Sequence, residues 1–309
     1  MNETIIILDK IFLLIFPFIY LFGIVGNMLS FLIFSRKRFE NTIFEVYFRS
    51  LNILYSIMLQ YVVIDFLKYR FDINLELISN NVCKFLNYIY FTLAPIGSWT
   101  LVIISLDRML NVIYPFKFVV LKNSKIFQFG VIGFLVVFNH IYYIRLIFRA
   151  QITDKRDLSN LNVTNNLTSS SLMICEIRDG GITYWMDLFN STLLPFVFMI
   201  TFSSITIRNL FELKLNLSKN LSIKDKRFAI ISISQNVTFL ILNMPIVIYY
   251  LCSFYVKFDE QIIDFFYITA IIPYYIQCGM IFYINCFVNP IFKNEFFLIV
   301  SKFTFRSTK

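Results

Sequence analysis

The chain has 309 residues, of which 58% are hydrophobic and only 15% charged, and its mean hydropathy is +0.70. A soluble domain of this length usually carries about a quarter charged residues, so the composition argues against a water-soluble enzyme. The formal net charge of +9 would suggest a nucleic-acid partner in a soluble protein; in a chain this apolar it points instead to charges sorted across a bilayer.

A helix needs about 20 apolar residues to cross the hydrocarbon of a membrane. In chain order, candidate spans run over 11–35, 44–66, 83–108, 126–148, 184–208, 227–254 and 264–292, leaving a tail over 293–309. The first run is too long for the apolar part of a signal peptide and no small-residue cleavage site follows it, so a signal anchor is expected. Glu45 and Arg49 interrupt the start of the second, which reads as a span whose arginine reaches back to the membrane surface. The sequence therefore predicts an all-α membrane protein. The expectation is a single seven-transmembrane helix-bundle domain over 1–309 whose tail forms a short amphipathic C-terminal helix.

The charges give the bundle a direction. With the N-terminus outside, 18 basic and 6 acidic residues fall on the cytoplasmic side, and the other 10 basic and 13 acidic residues fall outside. That excess of Lys and Arg is the positive-inside pattern. It predicts an extracellular N-terminus and a cytoplasmic C-terminus. The polar loop 149–181 then lies outside. It contains Asn162-Val163-Thr164 and Asn166-Leu167-Thr168, and Asn2-Glu3-Thr4 opens the chain. Asn2, Asn162 and Asn166 are the expected glycan acceptors. The similar patterns at Asn190 and Asn236 fall in spans, and those at Asn216 and Asn220 fall inside, so they are discounted.

Cys83 opens the third span and Asp107-Arg108 closes it. The separation puts a thiol near the outer surface and an ion pair near the inner one. Pro115 and Phe116 follow. Gly26-Asn27 stands in the first span and Leu51-Asn52 in the second. Cys175 lies in the long outer loop, Pro195 in the fifth span, Phe239 and Pro245 in the sixth, and Asn289-Pro290 in the seventh. In order and placement these residues resemble the rhodopsin-like family of G-protein-coupled receptors over nearly the whole chain.

The resemblance implies a plasma-membrane receptor whose partners are an extracellular ligand, a heterotrimeric G protein and membrane lipids. It implies a disulfide between Cys83 and Cys175. It makes Asp107, Arg108, Phe116, Asp225, Asn289 and Pro290 the coupling and switch residues, with Asp225 facing Arg108 across the resting bundle. Tyr90 stands where amine receptors carry an aspartate, and Tyr283 where opsins carry the retinal lysine, which argues against both ligand classes. Tyr90, Phe91, Tyr184, Asp187, Tyr250 and Tyr275 are the expected ligand pocket, with Tyr249 beside them and Glu176 and Asp179 at its mouth. Aromatic faces and acids suit a peptide bearing Arg or Lys, as in the neuropeptide class.

Several family positions differ. Ile57 stands for the second-helix aspartate and Gly97 for the third-helix serine opposite it. Met109 follows Asp-Arg, Ser203 replaces the fifth-helix tyrosine, Asn243 the sixth-helix tryptophan and Lys293 the seventh-helix tyrosine. The alternatives are a seven-span transporter or channel, and a divergent chemoreceptor with weak or lost G-protein coupling. Zinc spacing, a phosphate loop and a nucleophile elbow are all missing, so neither an enzyme nor a cofactor or metal is expected. The asparagines at 27, 52, 139, 236, 243, 285 and 289 are expected to hydrogen-bond between helices.

Overall fold

The computed structural model describes residues 3–39, 43–114, 124–154, 173–178, 181–215, 223–255 and 260–306. Asn2, Phe116, Asn162, Asn166 and Asp179 lie outside the described residues, as does the Asp225 side chain.

Apolar composition over long runs gives long helices. The chain forms α1 (Glu3–Phe34), α2 (Ile43–Met58), α3 (Gln60–Phe71) and α4 (Asn80–Ile113). Next come α5 (Lys125–Tyr143), a single turn α6 (Leu146–Arg149) and a hairpin of β1 (Ala150–Asp154) with β2 (Met173–Ile177). The short α7 (Ile182–Asp187) passes through a π-helical turn, Leu188–Leu193, into α8 (Leu194–Leu215). The chain ends with α9 (Ile223–Tyr255), α10 (Glu260–Gly279), α11 (Ile281–Val288) and α12 (Pro290–Arg306). Among the described residues six helices are long and apolar enough to cross a membrane, and α10 with α11 makes a seventh if that bent pair is one span. The protein is a multi-pass helical membrane bundle.

Ser79 starts α4 by accepting a hydrogen bond from the Val82 amide, and Ser124 does the same for α5 through Phe127. The core runs the length of the bundle. Phe16, Leu59, Ile104, Met199, Phe239 and Tyr275 are buried within it. Apolar side chains also cover the outer faces, such as Phe18, Ile53, Phe134, Ile141 and Ile248, where lipid is their natural solvent.

Two spans depart from their sequence reading. The second continues past 66 to Phe71 and buries the acid at its start. Glu45 is buried between Arg49, at 3.1 Å, and Lys125 of α5, at 3.3 Å. Arg49 stacks 4.9 Å from the Phe31 ring, so it is paired where the sequence suggested only a reach to the surface. The last span, read as continuous over 264–292, bends by 55° at Met280. Just before the bend Gly279 meets α1. A Cβ on Gly279 would lie 2.8 Å from the Gly23 Cα, so the two backbones are in contact.

Asn289 and Pro290 also sit differently. Asn289 has an extended backbone and ends α11. Its Oδ1 accepts hydrogen bonds from the Ile291 and Phe292 amides. Asn as N-cap with Pro at the first helical position is a helix-start signature, and the pair begins α12. That helix docks through Phe292, which packs on Phe34, Phe39 and Phe282. Its buried Glu295 is held by Arg36 at 2.8 Å and Arg38 at 3.3 Å. Exposed Phe297, Leu298 and Val300 give it an apolar outer face suited to a membrane surface.

Candidate functional site

The helix α4 carries a polar site near each end. At the Cys83 end the disulfide to Cys175 is present, with a Cα–Cα distance of 5.8 Å. It ties β2 to the top of α4, and Asn87 reinforces the joint by donating to the Cys83 carbonyl and to the Cys175 sulfur. The hairpin is thereby held over the end of the bundle. Gly181, at φ 82°, then turns the chain down into α7, a left-handed conformation that favours glycine.

Beneath this cover lies a cavity of about 460 Å³. Tyrosine is the commonest residue in its wall. Tyr61 and Tyr69 come from α3, Tyr90 from α4, Tyr249 and Tyr250 from α9, and Tyr267 and Tyr275 from α10. Their rings lock edge to face: Tyr61 with Tyr90 at 5.2 Å, and Tyr249 with Tyr267 at 5.5 Å. Phe91 and Tyr184 join the wall and pack on each other at 5.8 Å. Five of the expected pocket residues, Tyr90, Phe91, Tyr184, Tyr250 and Tyr275, therefore share one cavity, and Tyr249 does too.

The expected acid is elsewhere. Asp187 does not line this cavity; it is buried deeper, where the Tyr143 hydroxyl donates to it at 3.4 Å. The acids on the wall are Asp65 and Glu76. Tyr275 donates its hydroxyl to Asp65 at 2.6 Å. Glu76 lies 3.9 Å from Lys68, whose ammonium also sits 5.4 Å from the Tyr69 ring. Lys68 thus lies near both wall acids, and Asp65 is the one held by a tyrosine hydroxyl. Asp65 was within reach of the sequence, because it falls inside the second predicted span and an ionisable residue there marks a functional position by default. Glu176 pairs with Thr153 across the hairpin and is not on the cavity wall.

At the other end, Arg108 is 4% exposed and its guanidinium meets the Asp107 carboxylate at 2.7 Å. Asn111 donates to the same carboxylate oxygen at 2.9 Å. The next turn toward the middle of the bundle holds an amide–hydroxyl knot. Asn236 of α9 donates to Ser105 of α4 at 2.8 Å and to Ser203 of α8 at 2.7 Å, and accepts from Ser105. Ser203, read from sequence as a lost tyrosine, is one third of this joint.

The second-helix substitution is also of another kind. Ile57 is 41% exposed and faces away from the core. The inward residue is Tyr55, whose ring fills the space a Cβ on Gly97 would enter, 2.8 Å away. Its hydroxyl accepts from Gln277 at 2.9 Å. Two residues along a helix rotate a side chain by about 200°, which separates the two assignments.

The predicted interhelical asparagines divide. Asn27 donates to the Cys278 carbonyl, Asn52 to Ser30, and Asn139 accepts from Asn190. Asn243 and Asn285 instead donate back to their own helices, to Phe239 and Ile281. His140 takes a structural place, 2.8 Å from the Tyr88 hydroxyl. No family model matches this chain, and no curated protein matches it.

Proposed function

We propose that this chain is a divergent receptor of the rhodopsin-like G-protein-coupled type. It lies in the plasma membrane with its N-terminus outside and its C-terminus in the cytoplasm, and relays an extracellular peptide signal to a heterotrimeric G protein. The observation that carries this reading is the pairing on one helix, α4, of a covered tyrosine cavity with a buried Asp107–Arg108 pair. The order of Gly26-Asn27, Cys83, Asp107-Arg108, Cys175, Pro195 and Pro245 supports the same family. The biased Lys and Arg distribution supports the orientation, with glycans on Asn2, Asn162 and Asn166.

The ligand is a peptide of the neuropeptide class with a cationic and an aromatic side chain. Asp65 receives the cation and the surrounding tyrosines offer it their faces. Its binding shifts a two-state bundle toward a form in which α4, α8 and α9 part at the arginine end. Asp107, Arg108, Phe116 and Asp225 then meet the G protein, and the basic inner face adjoins anionic lipid.

A screen of cationic peptides on surface-expressed protein tests this, read as G-protein recruitment. The expected result is saturable recruitment that Arg108→Ala removes and that Asp65→Asn shifts to about ten- to hundredfold higher peptide concentration. No peptide response, with ligand-independent recruitment equal in wild type and Arg108→Ala, would sink the proposal.

The bend at Met280 favours a second reading, a secondary transporter with a broken helix. Substrate accumulation in proteoliposomes under an ion gradient would establish it.

A further inference from the structure

A second cavity opens between α9 and α10 at the Cys83 end of the bundle, with a volume of about 300 Å³. Pro245, Ile248 and Cys252 line it from α9, and Phe266, Thr269 and Ala270 line it from α10. Steps of three and four residues keep each set on one face of its helix, so the cavity is a cleft between two narrow stripes. Ala270 is buried at its floor, where a larger side chain would close the gap. Ile248 and Phe266 stand at its rim, 57% and 48% exposed. α9 is a membrane span and α10 is the first half of the bent last span, so the rim faces hydrocarbon and not water.

The lining suits hydrocarbon as well. Among the described residues it holds no charged side chain. Thr269 donates its hydroxyl to the Phe265 carbonyl at 2.8 Å, and Ser253 to the Tyr250 carbonyl at 2.9 Å. The surface left to an occupant is almost wholly apolar. Left empty, such a space deprives its walls of dispersion contacts on one side, and water does not enter it. An alkyl chain fills it and brings no polar group that would need a partner. From Pro245 to Cys252 the cleft follows ~10 Å of helix. Lipid chains run the same way in a leaflet, whose hydrocarbon is ~15 Å deep. Two stripes, each one side chain wide, admit a chain and not the flat face of a ring system.

The cleft also adjoins the tyrosine cavity. Tyr249 and Ser253 line both spaces. The Tyr249 ring packs on Tyr267 at 5.5 Å and on Tyr250 at 5.6 Å, which makes it the partition between them.

We infer that the cleft between α9 and α10 binds one alkyl chain of a bilayer lipid, in the leaflet at the Cys83 end, and that this chain backs Tyr249 from outside the bundle. The site needs only the membrane placement, so it stands apart from the receptor reading.

The test uses the full chain in lipid nanodiscs in which a small share of the phosphatidylcholine carries a photoreactive diazirine along one acyl chain. Labelled positions are mapped by mass spectrometry. Labelling of Ile248, Cys252 and Phe266 should exceed that of Phe134 and Ile141, which are exposed on α5, by about tenfold, the ratio that ~1.4 kcal/mol of preference gives. Ala270→Phe fills the cleft and brings its labelling down to the α5 level, with α5 itself unchanged. If that variant does not fold, Cys252→Phe, which fills the cleft from its exposed side, decides in the same way. Cholesterol added at a constant share of labelled lipid leaves the cleft labelled. Equal labelling of the cleft and α5 would overturn the site, since the cleft would then be ordinary lipid-facing surface. Labelling that survives the filling variant would overturn it too. Labelling that cholesterol abolishes would replace the alkyl chain with a ring system.

Discussion

At the Cys83 end of α4, carboxylates and tyrosine hydroxyls surround about 460 Å³ of space. At the Arg108 end, similar polar groups close on one another: Asp107 on Arg108 and Asn111, Asn236 on Ser105 and Ser203. Both ends lie in a chain with few charges, where each buried polar group must find a partner. The first end presents Asp65 to a cavity and keeps it there with one tyrosine hydroxyl. The second leaves little to present, and joins three helices instead. The contrast is between an open end and a closed one; in the proposed receptor the first receives the ligand and the second holds until binding parts it. Mutations that act on one end and not the other sharpen it.

The largest effect is expected at the disulfide, which closes a separation of 92 residues. Cys83→Ser should cost about 3–5 kcal/mol, measured as thermal stability in nanodiscs and as loss of surface expression. Cys83→Ser with Cys175→Ser should cost no more than either single change, since one lost thiol already breaks the bond. Additive losses would mean that the two sulfurs stabilise the fold separately.

Next comes the contact between α1 and the bent last span. Gly279→Ala would place a Cβ 2.8 Å from the Gly23 Cα, and backbone cannot yield as a side chain can. A loss of about 1–3 kcal/mol is expected. Gly130 and Gly133 on α5 have nothing within 4 Å, so alanine there should change stability by under ~1 kcal/mol, and in the favourable direction through helix propensity. Equal effects at Gly279 and Gly130 would remove close backbone packing as the reason for the approach.

These two cases also show what could be read from the chain without coordinates. The spans were legible because hydrocarbon thickness fixes their length and apolarity. The bend at Met280 was not, because neither a proline nor a charge falls between Gly279 and Val288, and the contact that accompanies it comes from Gly23, far away in sequence. At the cavity, Tyr90, Phe91, Tyr184, Tyr250 and Tyr275 could be chosen because the family resemblance sets which positions near the outer ends of the spans face the bundle interior. The acid could not be chosen so simply. Asp187 and Asp65 both fall in spans, and only the helix rotation shows which one lines the larger cavity. Tyr55, and not Ile57, faces Gly97 for the same reason.

The smallest effect tests the joint at the arginine end. Asn236→Ala removes the donor to Ser105 and Ser203 together. Interhelical hydrogen bonds in a membrane are worth about 0.6 kcal/mol each, because the separated helices find other partners for the same groups. The stability loss should therefore be about 1 kcal/mol, close to the limit of detection. A joint that holds a two-state element shut is better read from the population it restrains. A shift of 1.4 kcal/mol changes that population about tenfold, so even this small loss should raise ligand-independent G-protein recruitment severalfold. Asp65→Asn should leave that basal level where it was and alter only the peptide response. If Asn236→Ala lowers stability with no rise in basal recruitment, the amide is a structural tie and the arginine end is held shut by other contacts. If Asp65→Asn raises basal recruitment as much as Asn236→Ala does, the division between a receiving end and a holding end is wrong, since each would then restrain the same motion.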